Sequence, residues 1–452
     1  MARIGVIGAG YVGLTTAACF ARLGHEVVCA DVDAARVEAL SRAEVVAHEP
    51  GLPELVAEGV RAGRLRFVLG NPEALGDADF VFLCVPTPTG ADGAADLAAV
   101  HAVLAQARDA VRPGCVLVLK STVPPGTTER VAELVGRDDV EVVSNPEFLR
   151  EGHAVDDFLR PQRVVVGAPG SGSGSRSGSR SGSGSRSGSA SRSGSGEDAA
   201  RRVVALYEGT GAPTLITDSA SAELVKYASN CFLAMKLSYV NSLAELCERV
   251  GADIADVTEG MSLDDRIGAA FLEPGPGWGG SCFPKDTRAL LSAAEEARVD
   301  FPLLRATIGT NGHQARRVVD MVRDAVGPLR GARLGLLGLT FKAGTDDLRD
   351  SPALAVAELL AEEGAHLVGY DPCVHRDCGP VRVLGSAEAA AAGADGLVVL
   401  TEWPEFAELD WPALAGAMNR PVIVDTRNLL PVDKVVEAGF RLVGIGRGAT
   451  AA

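Results

Sequence analysis

Lysine is scarce. Of 43 basic residues only six are lysine, at positions 120, 226, 236, 285, 342 and 434. Arginine therefore supplies the ordinary surface charge. A lysine is expected to be present for its own chemistry, as a compact charge with an adjustable pKa. Aromatics are also few, at 5 %. No apolar run is long enough to cross a bilayer, so no membrane partner is expected. The first residues, "MARIGVIGAGYVG", read as a strand without charged, apolar and small-residue segments in that order, so no signal peptide is expected. Positive charge is in deficit, with a formal net charge of −16. That disfavours nucleic acid, because phosphate binding needs a basic face. A small anionic ligand held by a local cluster remains compatible. The nine cysteines are odd in number, scattered and mostly set in apolar runs. Reduced thiols and a cytosolic, cytoplasmic chain are expected. Cys373 and Cys378 flank His375 with no second ligand pair, so a surface loop and no metal is expected there.

What is present is an alternation. The chain's 452 residues suffice for two or three domains. Short apolar runs stand at 3–8, 25–31, 79–86, 115–122, 140–146 and 162–169, separated by alanine-rich helical stretches. That is the signature of a parallel sheet covered on both faces. Residues 170–196 contain only Gly, Ser, Arg and one Ala. They cannot bury enough surface to offset ordering entropy, and a disordered insertion before a helix starting near Glu197 is expected. From Ser219 to Val250 runs one long helical pattern, with Ser219 or Ser221 as its cap and Gly251 as its end. It is apolar on more than one side, which suggests burial between domains or subunits. A second α/β region begins at 332 and continues through 366–372, 395–403 and 420–428. The expected fold class is α/β: two Rossmann-like, doubly wound lobes joined by a long central helix and a helical middle.

The stretch "GAGYVG" places Gly8, Gly10 and Gly13 between a strand and a helix. Gly8 makes the tight turn, and Gly10 lets the backbone approach a pyrophosphate on the helix N-terminus. Asp31 ends the next strand, where a carboxylate binds both ribose hydroxyls and repels a 2′-phosphate. NAD is the expected cofactor.

The stretch "GPGWGGSCFPKD" surrounds Cys282 with glycines and follows it with Pro284, Lys285 and Asp286. Proline suits the first turn of a helix, so Cys282 sits just before a helix N-terminus, with Lys285 nearby. Both features favour the thiolate, which is only about 3 % populated at pH 7 for an unperturbed thiol. Lys226 and Asn230 are spaced i, i+4 on the long helix and can stabilise an oxyanion, or lie at a solvated edge. Glu147 and Glu151, again i, i+4, follow Pro146 at an expected helix start. The stretch "KSTVPPGT" follows a strand's carboxyl end, where ligands bind in open α/β sheets. A nucleophilic cysteine with NAD points to aldehyde oxidation through a thioester, and a lysine with NAD to alcohol oxidation. Both together point to the two steps on one substrate.

At these residues the chain resembles the UDP-glucose/GDP-mannose dehydrogenases. The similarity rests on "GAGYVG", "VPTPT", "KSTVPPGT", "NPEFLREG", "ELVKYASNCFLAMKLSYVNSLAELC", "GWGGSCFPKD", "GLTFKAGTDDLRDSPA" and "DTRN", in family order along nearly the whole chain. The Ser/Gly/Arg insertion is the one departure. The resemblance implies domains at 1–218 (NAD-binding), 219–326 (helical, dimerising) and 327–452 (nucleotide-sugar binding). It implies Cys282 as the nucleophile, Lys226 and Asn230 as oxyanion stabilisers, and Asp286 with Thr122 as holders of a water for proton transfer. Glu147 is implied in thioester hydrolysis, and Glu151 beside the nicotinamide. The cofactor contacts implied are Gly8, Gly10, Tyr11, Val12, Gly13, Asp31, Pro86, Thr87, Thr122, Glu151, Lys285 and Arg349. The implied substrate contacts are Glu147, Phe148, Leu149, Arg150 and Glu151, then Lys226 and Asn230. Phe271, Gly277, Trp278 and Gly279 would wrap the uridine and sugar, Lys342 would meet the diphosphate with Phe341 beside it, and Arg427 would be a further substrate contact. Arg266 would reach a partner subunit's site, which implies a homodimer or larger homo-oligomer.

Within the family, "FLREGHAVDDFLRPQRVVVG" looks more like members acting on UDP-glucose than those acting on GDP-mannose; members acting on UDP-N-acetylmannosamine rank third. The implied reaction is oxidation of UDP-glucose with two NAD through a cysteine thiohemiacetal and thioester. Two readings of other classes stand beside it. A β-hydroxyacid dehydrogenase shares the first lobe and the helical lysine but needs no cysteine. A nucleotide-sugar sensor would use the fold without catalysis. NADH formed per substrate separates the three: two, one or none.

Overall fold

The computed structural model describes residues 1–90, 93–170 and 189–450. The chain divides into two compact units: Met1–Ser229 with Arg288–Glu296, and Asn230–Thr287 with Ala297–Ala452.

The first unit is built on eight strands: β1 (Arg3–Ile7), β2 (Glu26–Asp31), β3 (Leu65–Leu69), β4 (Phe80–Leu83), β5 (Val116–Leu119), β6 (Glu141–Ser144), β7 (Val164–Ala168) and β8 (Thr214–Asp218). Their order is β3-β2-β1-β4-β5-β6-β7-β8. All neighbours are parallel except β6 and β7, which meet antiparallel at Ser144 and Gly167. The strands are apolar without interruption because both faces are covered. Along β4, Phe80 and Phe82 face one core with Phe20 and Val118, while Val81 and Leu83 face another with Leu117 and Leu119. The period of two assigns each strand's residues to opposite helix layers.

The second unit repeats the plan with β9 (Arg333–Leu337), β10 (His366–Tyr370), β11 (Arg382–Val383), β12 (Gly396–Val399), β13 (Val422–Asp425), β14 (Arg441–Gly444) and β15 (Gly448–Thr450). The order is β11-β10-β9-β12-β13-β14-β15, with only β14 and β15 antiparallel. The two doubly wound α/β sheets expected from the apolar runs are therefore present. Each reverses its order beside the strand that opens it, between β1 and β4 and between β9 and β12. Such a switch leaves a crevice at the strand carboxyl ends, where ligands bind.

The long helix spans Ser219–Val250, as its periodicity predicts, and Gly251 at φ 76 ends it. Its cap is neither serine. Asp218 accepts from Ser221 N at 2.8 Å and from Ser221 Oγ at 2.8 Å. A carboxylate at the N-cap satisfies the free N–H and also meets the positive end of the helix. Glu223, one turn on, accepts from Gly126 N, Thr128 N and Thr128 Oγ1 at 2.6–2.7 Å and so caps the helix Thr127–Val135. Burial pushes its carboxyl up to about 7 even with those bonds.

The expected insertion at 170–196 lies largely outside the described residues. The helix after it starts at Ser189 and runs to Ala205, earlier than Glu197. Ala199, Ala200 and Val203 anchor it in the core, and Gly196 lets it pass Pro169, whose carbonyl oxygen would stand 2.7 Å from a Cβ there. Among the described residues no helix is long and apolar enough to cross a membrane.

Candidate active site

The glycine loop follows β1 and opens the helix Tyr11–Arg22 at Gly10. Gly13 has no room for a side chain: a Cβ would lie 1.8 Å from the Gly8 carbonyl oxygen. Gly10 differs, with nothing within 4 Å of where its Cβ would stand. This open backbone at a helix N-terminus fits a pyrophosphate. Val12 packs on the core below. The Tyr11 hydroxyl donates to Glu49, and Gly152 N donates to Tyr11 Oη at 3.0 Å and Glu49 Oε2 at 2.7 Å. Burial first, then the Glu49 bond, raise the Tyr11 phenol far above its usual range.

Asp31 closes β2. Its Oδ2 accepts from Ala9 N at 2.7 Å and Arg36 Nη1 at 3.1 Å, and its Oδ1 from Asp33 N at 3.0 Å. Burial opposes its ionisation, but the Asp33 and Ala9 amides and then Arg36 hold the carboxyl below its ordinary value. The Asp31 carboxylate is thus pre-oriented and anionic, as a contact to ribose hydroxyls requires. On the other side of β1, Thr87 Oγ1 donates to the Thr122 carbonyl at 2.9 Å, tying the loop after β4 to the loop after β5. Both threonines are buried and Pro86 between the strands' ends is exposed. The glycine loop, Asp31, Thr87 and Thr122 lie at the carboxyl ends of β1, β2, β4 and β5, the strands on either side of the switch point of the first sheet. These residues fit NAD.

The helix expected from Pro146 does not form there. Residues 145–150 are irregular, and the helix begins at Ala154 and ends at Leu159. Asn145 N still bonds Leu119 O at 2.9 Å, prolonging the sheet, and Leu149 N turns back to Glu147 Oε2 at 2.7 Å. Arg150 N and its guanidinium are taken by Asp157. Glu147 and Glu151 are therefore not neighbours on one helix. Glu151 instead follows in the turn before Gly152, its charge acting on Tyr11.

Lys226 Nζ meets Glu147 Oε1 at 2.7 Å, with both side chains buried. Against burial, the charge and hydrogen bond of Lys226, the Leu149 amide and the charge of Lys120 keep the Glu147 carboxyl below its usual range. Lys120 is itself buried, 3.3 Å from Tyr207 Oη and 3.4 Å from Asn145 Oδ1. Burial pushes it down to about 8.

In the second unit, Cys282 takes the N-cap position expected for it. Its carbonyl accepts from Asp286 N at 2.9 Å, opening the helix Phe283–Glu296. Its Sγ lies 3.6 Å from Ser281 Oγ. The Asp286 carboxylate is fully buried between Asn230 Nδ2 at 2.6 Å and Lys285 Nζ at 2.5 Å. Among the nine cysteines only Cys282 and Cys373 are partly exposed. Burial pushes Cys373 up to about 11 and Cys231, against the Asp286 carbonyl, up to about 12. Cys282 combines exposure with a helix N-terminus, the surroundings of a reactive thiol.

The loop from Phe271 to Gly280 is held by hydrogen bonds at Gly275 and Trp278. Trp278 is buried, its Nε1 donates to Ser238 Oγ at 2.9 Å and its N to Asn311 Oδ1 at 2.8 Å. Gly275 is fixed by Asn241 and Gln314. Gly279 allows close approach to Asp350, whose carbonyl oxygen would stand 1.9 Å from a Cβ. Phe271 and Gly277 take positive φ, 63 and 126. The loop meets the second sheet: Gly280 abuts the Phe341 ring, and Gly275 abuts the Arg427 guanidinium. Lys342 Nζ lies 5.7 Å from the Phe341 centroid. Arg427 Nε donates to Leu400 O at 2.9 Å and pairs with Glu402 at 3.1 Å, while Ala343 N reaches the other Glu402 oxygen. Phe341, Lys342, Arg427 and the loop are thus brought together around the switch between β9 and β12. Arg349 is occupied by Asp347, and Arg266, 87 % exposed, by Asp264.

Arg36, Glu49, Glu223 and Glu402 were not singled out from the sequence. Arg36 alone left a signal, five residues beyond Asp31 on the following helix.

A glycine loop at the carboxyl end of β1, the ionised Asp31 carboxylate that closes β2, a partly exposed cysteine at a helix N-terminus and a second doubly wound sheet together fit an NAD-dependent oxidoreductase. Family comparison agrees. Residues 2–177, 220–313 and 335–432 match the NAD-binding, central and UDP-binding domains described for the UDP-glucose/GDP-mannose dehydrogenase family. A UDP-glucose 6-dehydrogenase of Rhizobium meliloti is 42 % identical, covering 98 % of this chain and 99 % of that protein. One of Pseudomonas aeruginosa is 40 % identical, covering 98 % and 97 %. A UDP-glucose dehydrogenase structure from Pyrobaculum islandicum superposes with a TM-score of 0.85 at 37 % identity, covering 99 % and 98 %. The chain belongs to the UDP-glucose/GDP-mannose dehydrogenase family.

Proposed function

We propose that the chain oxidises UDP-glucose to UDP-glucuronate with two NAD. The observation that carries this reading is Cys282, a partly exposed cysteine at a helix N-terminus, with the buried Asp286 carboxylate of that helix held by Asn230 and Lys285. NAD, when bound, takes up the hydride at each oxidation. In the first, the C6 hydroxyl becomes an aldehyde and gives up a proton, which Asp286 and Thr122 relay through a water. The Cys282 thiolate adds to the aldehyde carbon, and Lys226 and Asn230 stabilise the oxyanion. This thiohemiacetal loses the second hydride to become a thioester. Water, activated by Glu147, cleaves the C–S bond and restores the thiol. One water is consumed, and the carboxylate product leaves with two NADH and three protons formed. Covalent capture keeps the aldehyde from escaping between the oxidations.

The loop Phe271–Gly280 and the Phe341–Lys342–Arg427 group hold the nucleotide sugar, and Arg349 and Lys285 contribute to the cofactor. Leu224, Phe232, Tyr239 and Leu246 are 44–57 % exposed at seven- and eight-residue spacing along the long helix. Such a stripe suits burial against a second copy, so we read the protein as a cytoplasmic homodimer or larger. A panel of UDP-glucose, GDP-mannose and UDP-N-acetylmannosamine, followed by NADH absorbance, tests the substrate. UDP-glucose should give the highest kcat/KM by at least about tenfold, as expected when buried polar groups are matched by one substrate alone. Faster turnover of either other sugar would reassign it.

A further inference from the structure

Arg163, the residue before β7, stands outside the groups assigned so far. Its guanidinium lies over the Phe148 ring, 3.9 Å from the centroid. Its Nη2 donates to Ser229 Oγ at 3.2 Å. Phe148 follows Glu147 in the chain. Ser229 lies three residues beyond Lys226, within one turn of the long helix. Arg163 therefore grips both elements that carry the buried Lys226–Glu147 pair, each at a close neighbour of the paired residue. The Ser229 hydroxyl donates to Val225 O at 2.7 Å, which fixes its rotamer and leaves its lone pairs for Arg163. Lys226 Nζ stands 5.7 Å from the centroid of the same ring. Phe148 is thus in contact range of two cations, each attracted to the ring's quadrupole.

We propose that Arg163 is a positioning residue that sets the geometry of the Lys226–Glu147 pair by bridging Phe148 and Ser229. This rests on the catalytic roles given to Glu147 and Lys226 above. A guanidinium suits the task because it is planar: one face stacks on the ring while an edge N–H reaches the hydroxyl. An ammonium at this position can meet the ring or the hydroxyl but lacks that fixed fork. The bridge acts on charge as well as distance. The groups facing the Glu147 carboxylate are Lys226 from the long helix, Lys120 from the end of β5, the Cys84 thiol from the end of β4, and the Leu149 amide of its own segment. Of the groups that favour the carboxylate, Lys226 has the largest effect. If its contact slackens, Glu147 gains a proton at higher pH, and the step that needs its carboxylate fails earlier on acidification.

The test compares Arg163→Met, Arg163→Lys and Ser229→Ala with wild type in the full-length enzyme, with Lys226→Met as a control. We expect Arg163→Met to lower kcat by about tenfold, as a small misplacement of reacting groups does, with KM for UDP-glucose within about twofold. The acid limb of kcat should move up by about one pH unit, equivalent to a tenfold loss in the preference for the ionised form. Arg163→Lys should recover part of both, and Ser229→Ala should shift the limb in the same direction by less. A wild-type kcat and acid limb in Arg163→Met would overturn the proposal. So would a lower melting temperature with an unmoved limb, since that is a structural role alone. If Arg163→Met does not fold, Ser229→Ala decides, and an unmoved limb there overturns the proposal. Full activity in Lys226→Met would instead refute the roles given to the pair, whatever Arg163 does.

Discussion

Replacing Cys282 with serine is expected to uncouple the two oxidations. Serine keeps the size of the side chain, and the N-cap position accepts it well, so the helix Phe283–Glu296 should form as before. What changes is the nucleophile. A hydroxyl ionises far less readily than a thiol, so serine is a poor nucleophile without a dedicated base. The first oxidation does not involve the sulfur, so one hydride transfer should survive at a measurable rate. The aldehyde then reacts slowly, through its hydrate or a serine adduct. Release of acid should fall by several orders of magnitude, and an adduct should be visible in intact-mass spectra. Near-normal acid production by Cys282→Ser would make the thiol a structural group.

Lys226→Met should be the most damaging change in the first unit. Removing one preorganised donor to an oxyanion costs on the order of 10²–10³ in rate. It also strands Glu147, which is 7 % exposed and would lose its closest cation. Breaking a buried pair from one side costs roughly 3–5 kcal/mol. The pH dependence gives the sign. In wild type the Glu147 carboxyl is held below its unfolded value, so the stability it contributes is present at neutral pH and fades only in acid. In Lys226→Met burial dominates and the carboxyl moves above its unfolded value. Stability is then greatest in acid and falls as pH rises. Urea midpoints at pH 5 and pH 8 check this: the variant's deficit should be larger at pH 8. An equal deficit at both would show that Glu147 does not depend on Lys226.

What the sequence shows of this molecule is what neighbours in the chain decide. The glycine loop, the long helix from Ser219 to Val250 and the N-cap position of Cys282 each follow from residues within a few places of one another. Pro146 misled because a contact 79 residues away decides that segment: Glu147 is drawn to Lys226, and its other oxygen takes the Leu149 amide. The serines at the start of the long helix lost to Asp218, since a charged acceptor caps more strongly than a neutral one. Scarcity made lysines legible, and Lys226 and Lys285 are indeed paired in buried or half-buried clusters. Lys236 shows the limit of that rule, since its ammonium holds the carbonyls of Ile267, Gly268 and Ala270. Arg163, Glu49 and Glu402 belong to residue types common in this chain, so nothing in composition set them apart. Only the folded positions of their partners do so.

The central claim is that one chain carries a single sugar through two successive oxidations without releasing the aldehyde. Counting NADH against UDP-glucose consumed, with a carbonyl trap in the medium, tests it most directly. Two NADH per sugar, one equivalent of acid and no trapped aldehyde is the predicted result. One NADH per sugar with aldehyde recovered by the trap would contradict it.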